Sequence, residues 1–73
     1  MSEDLKKHIG DILKEARLKQ RISQKRLAQM THLSVATVRT IEKGCGNPYW
    51  KNYAVIIDTL GVPYDFKFVK KKS

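Results

Sequence analysis

Two serine-capped stretches stand three residues apart in the middle of this chain, and that spacing limits the fold more than any other feature. Ser23 opens Gln24-Lys25-Arg26-Leu27-Ala28-Gln29-Met30, which reads as a helix of about two turns. Thr31-His32-Leu33 interrupt it. Ser34 then opens a second run, Val35 to Lys43, and Gly44 stops it. Helices this short gain little from propensity alone and must pack on neighbours.

The neighbours are legible on both sides. Ser2 is placed to cap a first helix, with Glu3 and Asp4 opposing its positive end. Leu5, Ile9, Ile12, Leu13 and Ala16 recur at helical spacing as one apolar face. Gly10 within that run costs about 1 kcal/mol relative to Ala; either the helix tolerates it, or it allows a close packing contact. This helix is expected to end near Lys19–Arg21. Beyond the Cys45-Gly46 loop, Asn47-Pro48 reads as a helix start, with Asn as cap and Pro at the first helical position. The fourth helix carries Trp50, Tyr53, Ala54, Ile57 and Leu60 on one face, Ile56 flanking it, and Gly61 ends it. After Pro63 the period changes: Tyr64, Phe66 and Phe68 alternate with Asp65 and Lys67, which predicts a short strand. The fold expected is all-α, four helices with a C-terminal β-strand: one domain over 1–62 and a strand with a basic tail over 63–73.

Composition narrows what such a domain does. At 73 residues there is room for a single core. One cysteine excludes an internal disulfide, and two histidines far apart, His8 and His32, supply a zinc site poorly. The longest wholly apolar run is Ala54–Ile57, so no membrane span is expected. The acidic start, with no apolar segment after it, does not read as a secretory leader. With a free cysteine this fits a reducing cytosol, and a cytoplasmic protein is expected. The formal net charge is +8 and the pI about 9.9, a surplus that favours an anionic partner. From Lys14 to Lys51 there are nine basic residues against two acids, Glu15 and Glu42.

Two short helices in this arrangement are what a helix-turn-helix requires. With Val38 innermost on the second, Ile41 and Val35 fall about 60° to either side, while Ala36, Arg39, Thr40 and Lys43 lie roughly 100° to 200° away. That outer face is small, polar and basic. A major groove admits a helix, small residues let the backbone approach, and Arg39 can reach guanine or a phosphate.

Residues 9–62 resemble the Cro/phage-repressor type of helix-turn-helix domain, the XRE family. The resemblance rests on Arg17, then Ile22-Ser23-Gln24 with Leu27-Ala28, then Leu33-Ser34, Thr37-Val38 and Ile41-Glu42 with Gly44, then Asn47-Pro48 and Leu60-Gly61-Val62. It implies that the helix from residue 34 to 43 lies in the major groove of double-stranded DNA while the preceding helix crosses the backbone. It implies a phosphate contact for Gln24, with Lys25 beside it, at a helix start with free N–H groups. Lys43 and the loop around Asn47 would meet phosphate on the other side. Ser34, Val35, Ala36, Thr37, Arg39 and Thr40 would face bases or flanking phosphates. Arg17 and Glu42 match a pair that joins helices one and three in this family, and Arg17 is better placed as a brace than as a DNA ligand.

The chain departs from the family pattern in two places. His32 stands where the turn usually has Gly, so a left-handed backbone there would be strained. The base-facing set also lacks paired Gln residues for bidentate adenine contacts, and Val35 and Ala36 point instead to thymine methyls and shape readout. Cys45 reads as a bystander, His8 as a boundary residue, and Trp50 and Tyr53 as core. No acid pair has the spacing of a catalytic dyad. No enzymatic activity, cofactor or metal is expected.

An apolar strand alone in a helical domain leaves its backbone groups unpaired. Its simplest partner is the same strand of a second copy, with Tyr64, Phe66 and Phe68 at the dimer interface. HipB-like antitoxins, a branch of the same family, have a similar short C-terminal strand where they dimerise. The function expected is a homodimeric, sequence-specific transcriptional regulator, most simply a repressor. The second reading is an antitoxin that binds a toxin protein and represses its own operon.

Overall fold

A computed structural model describes residues 2–63, and the expected strand with Tyr64, Phe66 and Phe68 lies outside the described residues. Four helices follow in order: α1 (Glu3–Lys19), α2 (Gln24–Thr31), α3 (Val35–Lys43) and α4 (Trp50–Leu60). There is no strand among the described residues.

Local chemistry sets most of the boundaries. The side chains of Ser2, Ser23 and Ser34 accept from the backbone N–H of Leu5, Arg26 and Thr37, each at a helix start. Each bond satisfies a donor the helix itself cannot pair. At the other ends, α3 and α4 stop on left-handed Gly44 and Gly61. His32 does the same for α2 without being glycine, at φ 62°. The turn is closed by its own backbone, since Leu33 N donates to Ala28 O at 3.0 Å across it. Thr31, expected in the turn, is the last residue of α2, and its hydroxyl donates to Leu27 O at 2.8 Å.

The start of α4 differs from expectation. The helix begins at Trp50, after Tyr49, with no side-chain cap. Asn47 is drawn elsewhere: its Oδ1 accepts from Lys6 Nζ at 3.4 Å, beside the stronger bond from Lys6 Nζ to Gly46 O at 2.6 Å. The cap residue is therefore tied to α1, and Asn47-Pro48 belong to the loop.

The core is built from Ile9 and Leu13 of α1, Leu27 and Ala28 of α2, Val38 and Ile41 of α3, and Tyr53, Ile56, Ile57 and Leu60 of α4. Fully burying a large apolar side chain contributes roughly 1.5–3 kcal/mol. Ile56, expected at the flank of α4, is central to it, while Trp50 and Ala54 are only half-buried. The inner line of α1 also differs: Lys6, Ile9, Gly10, Leu13 and Arg17 are buried, whereas Leu5, Ile12 and Ala16 are half-buried. Two charges thus sit in a stripe expected to be apolar. Tyr53 is wholly buried, and its ring lies 5.6 Å from that of Trp50. Burial, with Cys45 and Glu3 adding smaller effects, pushes the Tyr53 hydroxyl above its ordinary pKa.

Helix α3 packs on α1 and α2, and α4 closes over the same two helices. The α1–α3 approach is backbone against backbone. A Cβ on Gly10 would stand 2.5 Å from Ile41 O and 2.8 Å from Glu42 O; one on Gly44 would stand 2.5 Å from Lys7 Cα. Neither neighbour can rotate away. Gly10→Ala is therefore expected to lower the melting temperature, because the clash outweighs the gain of about 1 kcal/mol in helix propensity. A thermal melt of the variant at or above the wild-type midpoint would show that α1 and α3 can separate at no cost.

Candidate nucleic-acid interface

One face of the molecule presents the outer side of α3. Ala36, Arg39 and Lys43 are exposed there, Thr37 and Thr40 half-buried, and Val38, Ile41 and Glu42 turn inward. Ser34 is exposed, but its hydroxyl already bonds both the N–H and the hydroxyl of Thr37. Val35 is half-buried against the core, so only part of it faces out.

What holds α3 in this attitude is a buried ion pair. Arg17 Nε donates to Glu42 Oε2 at 2.6 Å and Nη2 to Glu42 Oε1 at 3.0 Å. The two side chains are only 8% and 3% exposed. The third arm of the fork, Nη1, donates to Ile22 O at 2.7 Å in the α1–α2 turn. Gln24 Nε2 donates to Glu42 Oε1 at 3.1 Å from the start of α2. Three helices and a turn converge on these two residues. A planar guanidinium fixes direction as well as distance, which a lysine could not do.

Two hollows flank the outer side of α3. One, of about 400 Å³, is lined by Lys7, Asp11 and Lys14 of α1, Gln24 of α2, and Arg39, Glu42 and Lys43 of α3. The other, of about 330 Å³, is lined by Ala36, Thr37 and Thr40 together with Asn47, Pro48, Tyr49 and Asn52. The first is strongly basic. The second carries hydroxyls, amides and the Tyr49 ring but no charge.

The structure therefore brings Gln24, Arg39 and Lys43 to one hollow and Ala36, Thr37, Thr40 and Asn47 to the other. Lys43 and Asn47, expected to act together, stand in different hollows. Lys25 is exposed on α2 and lines neither. Sequence reasoning did not single out Lys6, Lys7, Lys14, Tyr49 or Asn52. Lys6 had a signal: it stands three residues before Ile9 and seven before Leu13, on their line. Its ammonium is buried, bonds the α3–α4 loop as described, and lies 3.2 Å from Glu3 Oε2. Tyr49 is 75% exposed and had no signal beyond being aromatic.

No helix among the described residues is long and apolar enough to cross a membrane, and no group of acids, histidines and cysteine among them could hold a metal ion. Residues 13–66 match the family model described as helix-turn-helix. No curated protein and no solved structure matches the chain.

Removing one partner of a buried ion pair strands the other without compensation and typically costs about 3–5 kcal/mol. Glu42→Ala is expected to cost that much, a large part of a small domain's stability. Urea or thermal unfolding measures it, and a midpoint close to wild type would show that α3 is seated by something else.

Proposed function

The chain belongs to the XRE-type helix-turn-helix family, a family of DNA-binding transcription regulators, and on that footing we propose that it is a homodimeric repressor that reads duplex DNA with α3. The observation that carries this reading is the outer side of α3: small, polar and basic, set at a fixed angle by the Arg17–Glu42 pair.

In this reading Ala36, Thr37, Thr40 and the exposed edge of Val35 face the base edges. The small side chains let the helix axis approach, and methyl groups meet thymine methyls. Arg39 and Lys43 take phosphates or a guanine at the groove edge. Gln24 and Lys25 meet the backbone at the start of α2, where free N–H groups favour an anion. Ser34 caps α3 and keeps its first turn rigid where it enters the groove. Asn47 meets the opposite strand from the neutral hollow. Occupied promoter DNA then excludes the transcription machinery, with no cofactor needed.

Dimerisation is assigned to residues 63–73, and residues 1–62 to DNA binding. Pro63 lines a largely apolar hollow of about 420 Å³ between α1 and the end of α4, with Ile12, Ala16, Leu60 and Val62. Aromatic residues Tyr64, Phe66 and Phe68 follow directly in the sequence. A two-fold ribbon made from this segment would set two α3 helices about one DNA turn apart.

Selection of bound sites from random duplex DNA is expected to return a palindrome with half-sites about 10 base pairs apart, and deletion of residues 63–73 to yield a monomer that has lost that spacing. A truncated chain that still sediments as a dimer and binds the full palindrome contradicts the ribbon. Arg39→Ala is expected to cost about 1–3 kcal/mol per half-site of the selected palindrome, with relaxed preference at one base pair in each half-site. Binding isotherms on single-base variants check this, and an equal loss on every sequence would make Arg39 a phosphate ligand.

A further inference from the structure

We propose that α1 carries part of the nucleic-acid surface: Lys7 and Lys14 bind the phosphates of the DNA strand that runs along the basic flank of α3, and Asp11 between them limits the strength of that contact. This deepens the reading above and rests on it.

The inference starts from the asymmetry of the two hollows. A helix in a major groove has a phosphate wall on each side. On the α3–α4 loop side the wall meets uncharged groups, Thr37, Thr40, Asn47 and Tyr49. On the α1 side it meets Arg39 and Lys43 of α3 together with Lys7 and Lys14 of α1. All four cations are exposed, and none has an ion-pair partner among the described residues. Of the two acids in that hollow, Glu42 is neutralised by Arg17, which leaves Asp11 as the one opposing charge. A concave surface with such a balance suits a polyanion that enters alongside α3, and the same polyanion already occupies that side when α3 is in the groove.

Helical geometry supports two separate contacts. Lys7, Asp11 and Lys14 are spaced i, i+4, i+7 and share one face of α1. Lys7 and Lys14 are therefore about 10 Å apart along the axis, too far to share one phosphate. The approach of α1 to α3 is fixed by Gly44, whose Cα hydrogen faces Lys7 where a Cβ could not fit. Lys7 is thereby held at the C-terminal end of α3 beside Lys43, and Lys14 lies a further two turns along α1, toward Arg17 and the start of α2.

The test uses the full chain and the duplex recovered by selection. Lys7→Gln, Lys14→Gln, Asp11→Asn and, as control, Lys19→Gln are compared by titration across a range of salt concentrations. Lys19 is exposed on the same helix but lines the hollow at the end of α4. Each of Lys7→Gln and Lys14→Gln is expected to flatten the slope of log K against log salt by about 1.8, one phosphate's worth from each protomer of the dimer, and to weaken all sequences equally. Asp11→Asn is expected to tighten binding, and Lys19→Gln to leave the slope unchanged. Thermal melts establish that each variant is folded. Unchanged slopes for Lys7→Gln and Lys14→Gln in a protein that still selects its site overturn the inference alone. A wild-type chain that selects no duplex site overturns the functional reading and this inference with it.

Discussion

The buried contact between Arg17 and Glu42 is the constraint on which the rest of the molecule depends. Its net contribution to stability is small beside what it costs to desolvate two charges. Its value is directional. One guanidinium reaches Glu42 on α3 through two arms and the carbonyl of Ile22 through the third, while Gln24 closes the carboxylate's remaining approach from α2. Rotation of α3 about its axis would break several charge-assisted bonds at once. Apolar packing through Val38 and Ile41 alone would tolerate such a rotation more readily, because hydrophobic burial is not directional.

The brace and the outer surface share residues. Gln24 donates one amide hydrogen to Glu42 and has a second to offer outward. Glu42 forms the floor of the basic hollow without adding a net negative charge to it, since Arg17 lies behind it. On the opposite flank, buried Lys6 does the corresponding work for the α3–α4 loop: its ammonium holds Gly46 and Asn47 against α1. Both flanks of α3 are thus positioned by buried cations of α1.

Much of this was legible in the sequence wherever the cause is local. Ser2, Ser23 and Ser34 mark the first residues of their helices by a bond that spans three positions, and Gly44 and Gly61 mark ends by a backbone angle. Gly10 left two readings open, a tolerated cost or a close approach, and only the fold shows the carbonyls it approaches. The start of α4 was misread because Asn47 has the right chemistry for a cap but a partner 41 residues away. No local rule sees that partner. The same distance hid Lys6, whose side chain occupies a position that periodicity assigns to an apolar residue. The outer face of α3 could be read from angles alone, but its division into a basic flank and a neutral flank depends on which helices pack beside it. That required the fold.

The backbone seat between α1 and α3 has a consequence for how such a domain changes over generations. Gly10 and Gly44 fit the two helices together with hydrogen atoms rather than with interlocking side chains, and the inward positions Val38, Ile41 and Glu42 complete the fit. The outward positions Ala36, Arg39 and Lys43 take no part in it. Replacement at those three sites leaves the scaffold's assembly untouched, so the surface can drift, be duplicated and acquire a new preference while the platform beneath it is inherited intact.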